Sequence, residues 1–129
     1  MRRFAIIALL GLLAAGCGSG SGGGGLYARA AVEQCLKKHP SVKIDHKLDF
    51  VASTATGGAF HAFLPDNSVT VVFGASLDDA NNINQAYHRF HSENVGVDDI
   101  IRQDKNAVML FQLHPSDANI ASISTCLAG

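Results

Sequence analysis

Eight residues of glycine and serine, Gly18 to Gly25, interrupt the chain and decide where a fold can form. A run of this kind has no apolar side chain to bury and behaves as a flexible linker. Folding is thereby confined to residues 26–129, enough chain for a single modest core. The linker has an expected end-to-end distance of about 16 Å and a full extension of about 28 Å. Whatever it tethers stays close to whatever it is tethered to.

Ahead of the linker, Arg2 and Arg3 are followed by an apolar run from Phe4 to Ala15, then Gly16 and Cys17. The run is shorter than the roughly 20 apolar residues a membrane span requires, but it suits the core of a secretory leader. Small residues leading into a cysteine resemble the end of a bacterial lipoprotein signal, with Ala14 standing where a Leu is usual. The resemblance covers residues 1 to about 18 and concerns targeting alone. It implies cleavage before Cys17, a thioether-linked diacylglycerol on its sulfur and an acyl chain such as palmitate on its new amino group. Residues 1–16 would then be the signal peptide and residues 17–25 the lipidated cysteine with its tether. Residues 26–129 would form the exported domain. Two or more acyl chains hold a protein stably at a bilayer. The expected location is the extracytoplasmic side of a cell membrane, with any partner at or near the lipid surface.

Without Arg2 and Arg3, eight Lys and Arg remain against eleven Asp and Glu, a net charge of −3 with no block of like sign. The clustered basic face that nucleic acid requires is missing from the sequence, so no nucleic-acid partner is expected.

Within the domain, Leu26 to Lys38 predicts a helix. Ala28, Ala31, Val32, Cys35 and Leu36 form one apolar stripe. Glu33 and Lys37 form an i, i+4 pair in the favourable order on the other side, and His39-Pro40 ends the helix. Val42 to Phe50 alternates with charged residues and predicts a strand over part of its length, followed by a loop from Ser53 to Gly58.

From Ala59 the pattern is clearer. A strand to Leu64, a turn at Pro65-Asp66-Asn67 and a Val-rich strand over Ser68 to Gly74 lead to a helix. Ser76 is placed to cap that helix, and its seam is Ala80, Ile83, Tyr87 and Phe90. A third strand over Asp99 to Gln103, a turn at Asp104-Lys105-Asn106 and a fourth strand over Ala107 to Leu113 come next. Pro115 opens a last helix with Ile120, Ile123 and Leu127 on its apolar side. At a shift of 39 residues, Asn67 matches Asn106, Val69 matches Val108 and Asp78 matches Asp117. Two strand–turn–strand–helix units after a first helix predict an α+β domain. Its antiparallel sheet would have four or five strands, with about three helices on one face.

Two of those strands, Val69 to Phe73 and Ala107 to Phe111, are nearly apolar on both sides, whereas a sheet with one wet face should alternate. The second face therefore needs a cover. Residues 41–58 folding across it would serve, and so would a partner protein or a second copy of the chain.

With Cys17 carrying lipid, Cys35 and Cys126 form an even pair in an exported protein and are expected to be disulfide-bonded. Among six histidines, His88 and His91 are the best metal candidates, three residues apart on one helix beside Asn84. A zinc site needs at least three protein ligands, so His61, His114 or Glu93 would have to complete it. Solvated helix face is the competing reading, and no cofactor is expected.

Ser53, Thr54 and Thr56 ahead of Gly57-Gly58 could cradle an anion, although the loop has no phosphate-loop pattern. Asp78-Asp79 and Asp98-Asp99 sit at element ends, where acids cap or solvate. No nucleophile elbow and no free cysteine nucleophile is present in the domain, so no catalytic residue is assigned. The leading expectation is a non-enzymatic envelope lipoprotein that engages another protein. The alternative is a small-ligand or metal-binding lipoprotein using the His88 and His91 face.

Overall fold

A computed structural model describes residues 25–91 and 96–128. The leader, Cys17, the linker up to Gly24, and Glu93 lie outside the described residues.

The domain is α+β. Its elements run α1 (Arg29–Lys37), β1 (Lys43–Asp45), α2 (Phe50–Ser53), β2 (Ala59–Phe63), β3 (Ser68–Phe73), α3 (Leu77–Phe90), α4 (Val97–Ile100), β4 (Ile101–Asp104), β5 (Ala107–Phe111) and α5 (Asp117–Ala128). The five strands form one sheet in the order β1-β2-β3-β5-β4, with every neighbouring pair antiparallel.

Local chemistry sets many of the element ends. Ser76 caps α3, its hydroxyl accepting from the Asp79 amide at 3.1 Å. Ser116 does the same for α5 through the Asn119 amide, so the helix starts just past Pro115. The two asparagines matched by the 39-residue shift have related duties. Asn67 lies in the β2–β3 turn and its Oδ1 accepts from the Leu113 amide at 3.0 Å, tying that turn to the end of β5. Asn106 lies in the β4–β5 turn and its amide donates to the Tyr27 and Gly74 carbonyls, each at 2.9 Å. Both asparagines are buried, where unpaired backbone groups would be costly.

The arrangement of helices differs from the one-sided expectation. One face of the sheet carries Phe60, Ala62, Val69, Val71, Phe73, Ala107, Met109 and Phe111, covered by Val32 and Leu36 of α1 and Ile123 and Leu127 of α5. The other carries Ala59, Val72 and Val108, covered by Val51 and Ala52 of α2 and Ala80, Ile83 and Tyr87 of α3. Helices thus lie on both faces. That accounts for the strands being apolar on both sides, and residues from the 41–58 segment do contribute to the second cover.

Register explains the split. Val69 faces α1 and α5. Its repeat partner Val108 pairs with Val72 and so faces α2 and α3. Because side chains alternate along a strand, matched positions in the two units project to opposite faces, and the helices that follow them separate accordingly. The turn from β3 into α3 is tight enough to demand glycine at position 74. A Cβ there would stand 2.5 Å from the Ala80 nitrogen and 2.7 Å from the Ser76 oxygen.

The stretch from Val42 to Phe50 is a strand over part of its length, Lys43–Asp45, as expected, but the pattern does not anticipate α2: Asp49 caps this single turn by accepting from the Ala52 amide at 2.9 Å. Two further expectations are corrected. The third strand begins at Ile101, because residues 97–100 turn helically first. Glu33 is not on a solvated side. It is 4% exposed and paired with Arg29, with Lys37 at 3.5 Å and with His46 at 2.7 Å. Three cationic or ionisable partners are what allow a carboxylate to be buried there.

Cys35 and Cys126 are disulfide-bonded, with Cα atoms 5.5 Å apart. The bond joins α1 to α5 over the first face, as the cysteine count predicts.

Candidate functional site

The second face is covered over only part of its area, and the strand register shows which part. The row Ala59–Val72–Val108 is buried beneath α2 and α3. The next row, Asp45–His61–Thr70–Leu110, is half-buried. Beyond it Phe63 pairs with Ser68, and the Gln112 amide bonds to the Ser68 carbonyl at 2.9 Å; Phe63 is exposed, Ser68 is buried, and neither belongs to the cluster beneath α2 and α3. Along β3 the side chains on this face therefore pass from Val72 through Thr70 to Ser68, from apolar to polar.

A groove of about 520 Å³ follows the uncovered rows. His61, Phe63, Ser68, Thr70, Leu110 and Gln112 form its floor, and His91 closes one side from the end of α3. A second hollow of about 360 Å³ continues from His91 and Leu110 to Asp49, Phe50, Val51, Tyr87 and Phe90. The rim is aromatic. Phe63 is 45% exposed, Phe90 64% and Phe50 74%. Phe50 and Phe90 meet edge to face at 6.3 Å between centroids, and His61 meets Phe63 in the same way at 4.6 Å. Such pairs place three large apolar rings at the mouth of a concavity rather than scattering them over the surface.

Two polar groups of the groove, Ser68 and His61, have assignable partners, and one does not. The Ser68 hydroxyl donates to Gln112 Oε1 at 3.0 Å. His61 Nδ1 lies 3.3 Å from Asp45 Oδ1 across the β1–β2 pair. His91 Nδ1 is buried and has no hydrogen-bond partner among the described residues. No hydroxyl in the groove is hydrogen-bonded to His61 or His91 among the described residues.

Tyr87 lines the second hollow. Its hydroxyl donates to Asp49, at 2.9 Å to Oδ2 and 3.2 Å to Oδ1, while the same carboxylate caps α2. Burial, then the Asp49 charge and hydrogen bond, hold the Tyr87 phenol far above its ordinary range, so it stays a donor. Tyr87→Phe leaves the carboxylate without this donor and is expected to cost about 1.5–3 kcal/mol, read as a lower urea midpoint at unchanged m.

The sequence-selected residues are distributed differently. His88 and His91 are not gathered around a common point. His88 Nε2 is 2.7 Å from Asp98 Oδ1 and its Nδ1 is 2.9 Å from the Asn84 carbonyl, whereas His91 turns to the groove. His114 pairs with Asp99 at 2.7 Å. Neither His88 nor His91 belongs to a three-ligand cluster among the described residues. Their spacing on α3 carried no information about what α4 would bring beside His88.

The hydrogen bond to Asp98, followed by that to Asn84, raises the pKa of His88, because both acceptors favour the imidazolium. A group whose folded pKa is raised contributes stability that is fully present below its unfolded pKa of about 6.5 and is lost as pH rises through the folded value. The site is exposed, so the contribution is expected to stay below about 1 kcal/mol. In an NMR titration Asp98→Asn should bring the His88 midpoint back down; an unchanged midpoint would refute the assignment.

The hydroxyls proposed for anion binding are already used. Thr56 Oγ1 donates to Asp79 at 3.1 Å and accepts from the Ala75 amide, while Ser53 and Thr54 donate to the Phe50 and Val51 carbonyls. Gly57 is there because a Cβ would stand 2.5 Å from the Phe73 carbonyl oxygen. This loop holds α2 against β3 and α3.

Sequence reasoning missed the groove although its signal was present. His61 and Phe63 share one side of β2, opposite Thr70 and Ser68 of β3, so a polar and aromatic patch interrupts that face. No helix among the described residues is long and apolar enough to cross a membrane. The chain matches no protein-family model, no curated protein and no solved structure.

Proposed function

We propose that the chain is a membrane-tethered, non-catalytic interaction module of a bacterial envelope, and that the groove on the open half of its sheet receives an apolar segment of a partner protein. The observation that carries this reading is the exposed aromatic rim of Phe50, Phe63 and Phe90 around the half-buried row of His61, Thr70 and Leu110. Aromatic anchors at the mouth of a concavity are typical of the energetic centre of protein interfaces. The leader ending in Cys17 supports the location, and the short linker supports a partner near the lipid surface.

A photo-crosslinking residue replacing Phe63 in the full chain, expressed in membranes, should trap a discrete protein band. The same probe at Asp78, on the exposed start of α3, should not. Phe90→Asp should suppress the band. A crosslink of the chain only to itself would assign the groove to self-association, and no crosslink at Phe63 would defeat the reading. For the anchor, Cys17→Ser should release the protein from membranes under alkaline washing.

A further inference from the structure

The disulfide corner holds a third metal-binding side chain. Cys35 lies in the last turn of α1, and His39 follows one turn later, its amide bonded to the Leu36 carbonyl at 3.0 Å. Cys126 reaches the same point from the end of α5. A ring nitrogen of His39 and both sulfur atoms lie within 4.8 Å of one another. Cys126 is buried, Cys35 half-buried and His39 exposed, so the corner is open to solvent from the imidazole side. The structural role of the bridge makes no use of His39.

We propose that reduction of the Cys35–Cys126 bridge converts this corner into a Cys₂His site for a thiophilic divalent cation, with Zn²⁺ the natural occupant. An external dithiol transfers two electrons and two protons to the bridge and closes its own disulfide, leaving Cys35 and Cys126 as thiols. Metal binding then expels both thiol protons. The two thiolates and the neutral imidazole of His39 supply three ligands, and water takes the fourth position.

The geometry suits such an ion. Thiolates on a tetrahedral Zn²⁺ stand about 3.8 Å apart, a span reached by side-chain rotation from Cα atoms 5.5 Å apart. The i, i+4 relation of Cys35 and His39 puts two ligands on one edge of the chain, and α5 brings the third across from it. The occupied site would join α1 to α5 again, so the metal would replace the cross-link that reduction removes. The state of the bridge thereby selects between a covalent and a metal-held form of the same packing.

The test uses the full chain carrying Cys17→Ser, which removes the remaining thiol, with Co²⁺ as the spectroscopic probe. After reduction by a dithiol and its anaerobic removal, one equivalent of Co²⁺ should produce thiolate-to-cobalt charge-transfer absorption that Zn²⁺ abolishes. The oxidised chain should show none. Zn²⁺ should raise the melting temperature of the reduced chain and leave that of the oxidised chain unchanged. His39→Ala should weaken Co²⁺ binding by roughly tenfold or more, while its oxidised form melts as the parent does. Absence of the charge-transfer band in the reduced chain would overturn the proposal. So would equal Co²⁺ affinity in His39→Ala, or metal binding that does not bring the far-ultraviolet dichroism to that of the oxidised chain.

Discussion

Replacing Cys35 and Cys126 together by alanine should destabilise the domain by about 4–5 kcal/mol. That corresponds to a fall of roughly 20–35 °C in the melting temperature of a domain this size. The bridge closes a loop with a sequence separation of 91 residues, so most of the domain lies inside it. In the chain-entropy account, that length is what makes the unfolded state of the bridged chain so restricted. The two cysteines also sit where α1 and α5 meet over the first face, close to Val32, Leu36, Ile123 and Leu127. The check is a pair of non-reducing melts of the full chain and the double variant. A difference below about 1 kcal/mol would show that the unbridged chain is held together locally, without help from the link between its ends.

Phe60→Ala should cost about 3–5 kcal/mol, whereas Phe63→Ala, three positions further on and on the opposite face, should cost less than about 1 kcal/mol. Phe60 is fully buried between the helices and the sheet, with its ring centroid 6.1 Å from that of Phe73. Truncation there removes apolar burial and leaves a cavity that β2, held on both sides by β1 and β3, has little freedom to close. Phe63 belongs to the groove rim, and its loss uncovers surface that is already half wet. Urea unfolding of the two variants at common m measures the contrast directly. Equal losses would mean that the register of β2 is wrong. The same pair also separates stability from recognition, because Phe63→Ala should retain the fold while weakening capture of the partner.

Several parts of the fold were legible because their signals are local. The hairpins β2–β3 and β4–β5 follow from apolar runs around Pro65-Asp66-Asn67 and Asp104-Lys105-Asn106. The start of α3 follows from Ser76, whose capping bond needs only three residues of sequence. Pairing of Cys35 with Cys126 followed from a count. Elements were misread where a distant partner outweighed the local pattern. Alternation from Val42 to Phe50 gave way to the one-turn α2, held by Asp49, which both caps it and accepts from Tyr87 of α3. Glu33 had the spacing of a solvated ion pair with Lys37. It is buried because Arg29 and His46 also converge on it, and His46 lies thirteen positions away beyond the end of α1.

The candidate site was less legible than the fold. His88 and His91 stood out as a pair on one helix, but Asp98 claims His88 and only His91 reaches the groove. His39 reads in the sequence only as part of the His39-Pro40 helix stop, because its place beside the cysteines depends on Cys126 arriving from the other end of the domain.

By itself the sequence determined the two hairpins, the starts of α3 and α5, the α+β class and the need to cover both sides of the central strands. Alternation, capping and turn chemistry act over a few residues, so they can be read without the rest of the chain. Only the tertiary structure decided which helix covers which face, and hence which row of the sheet is left open. That choice depends on the strand order β1-β2-β3-β5-β4 and its register, which set Val69 and Val108 on opposite sides. A pattern that is apolar on both sides demands two covers, and it is silent on where either of them stops.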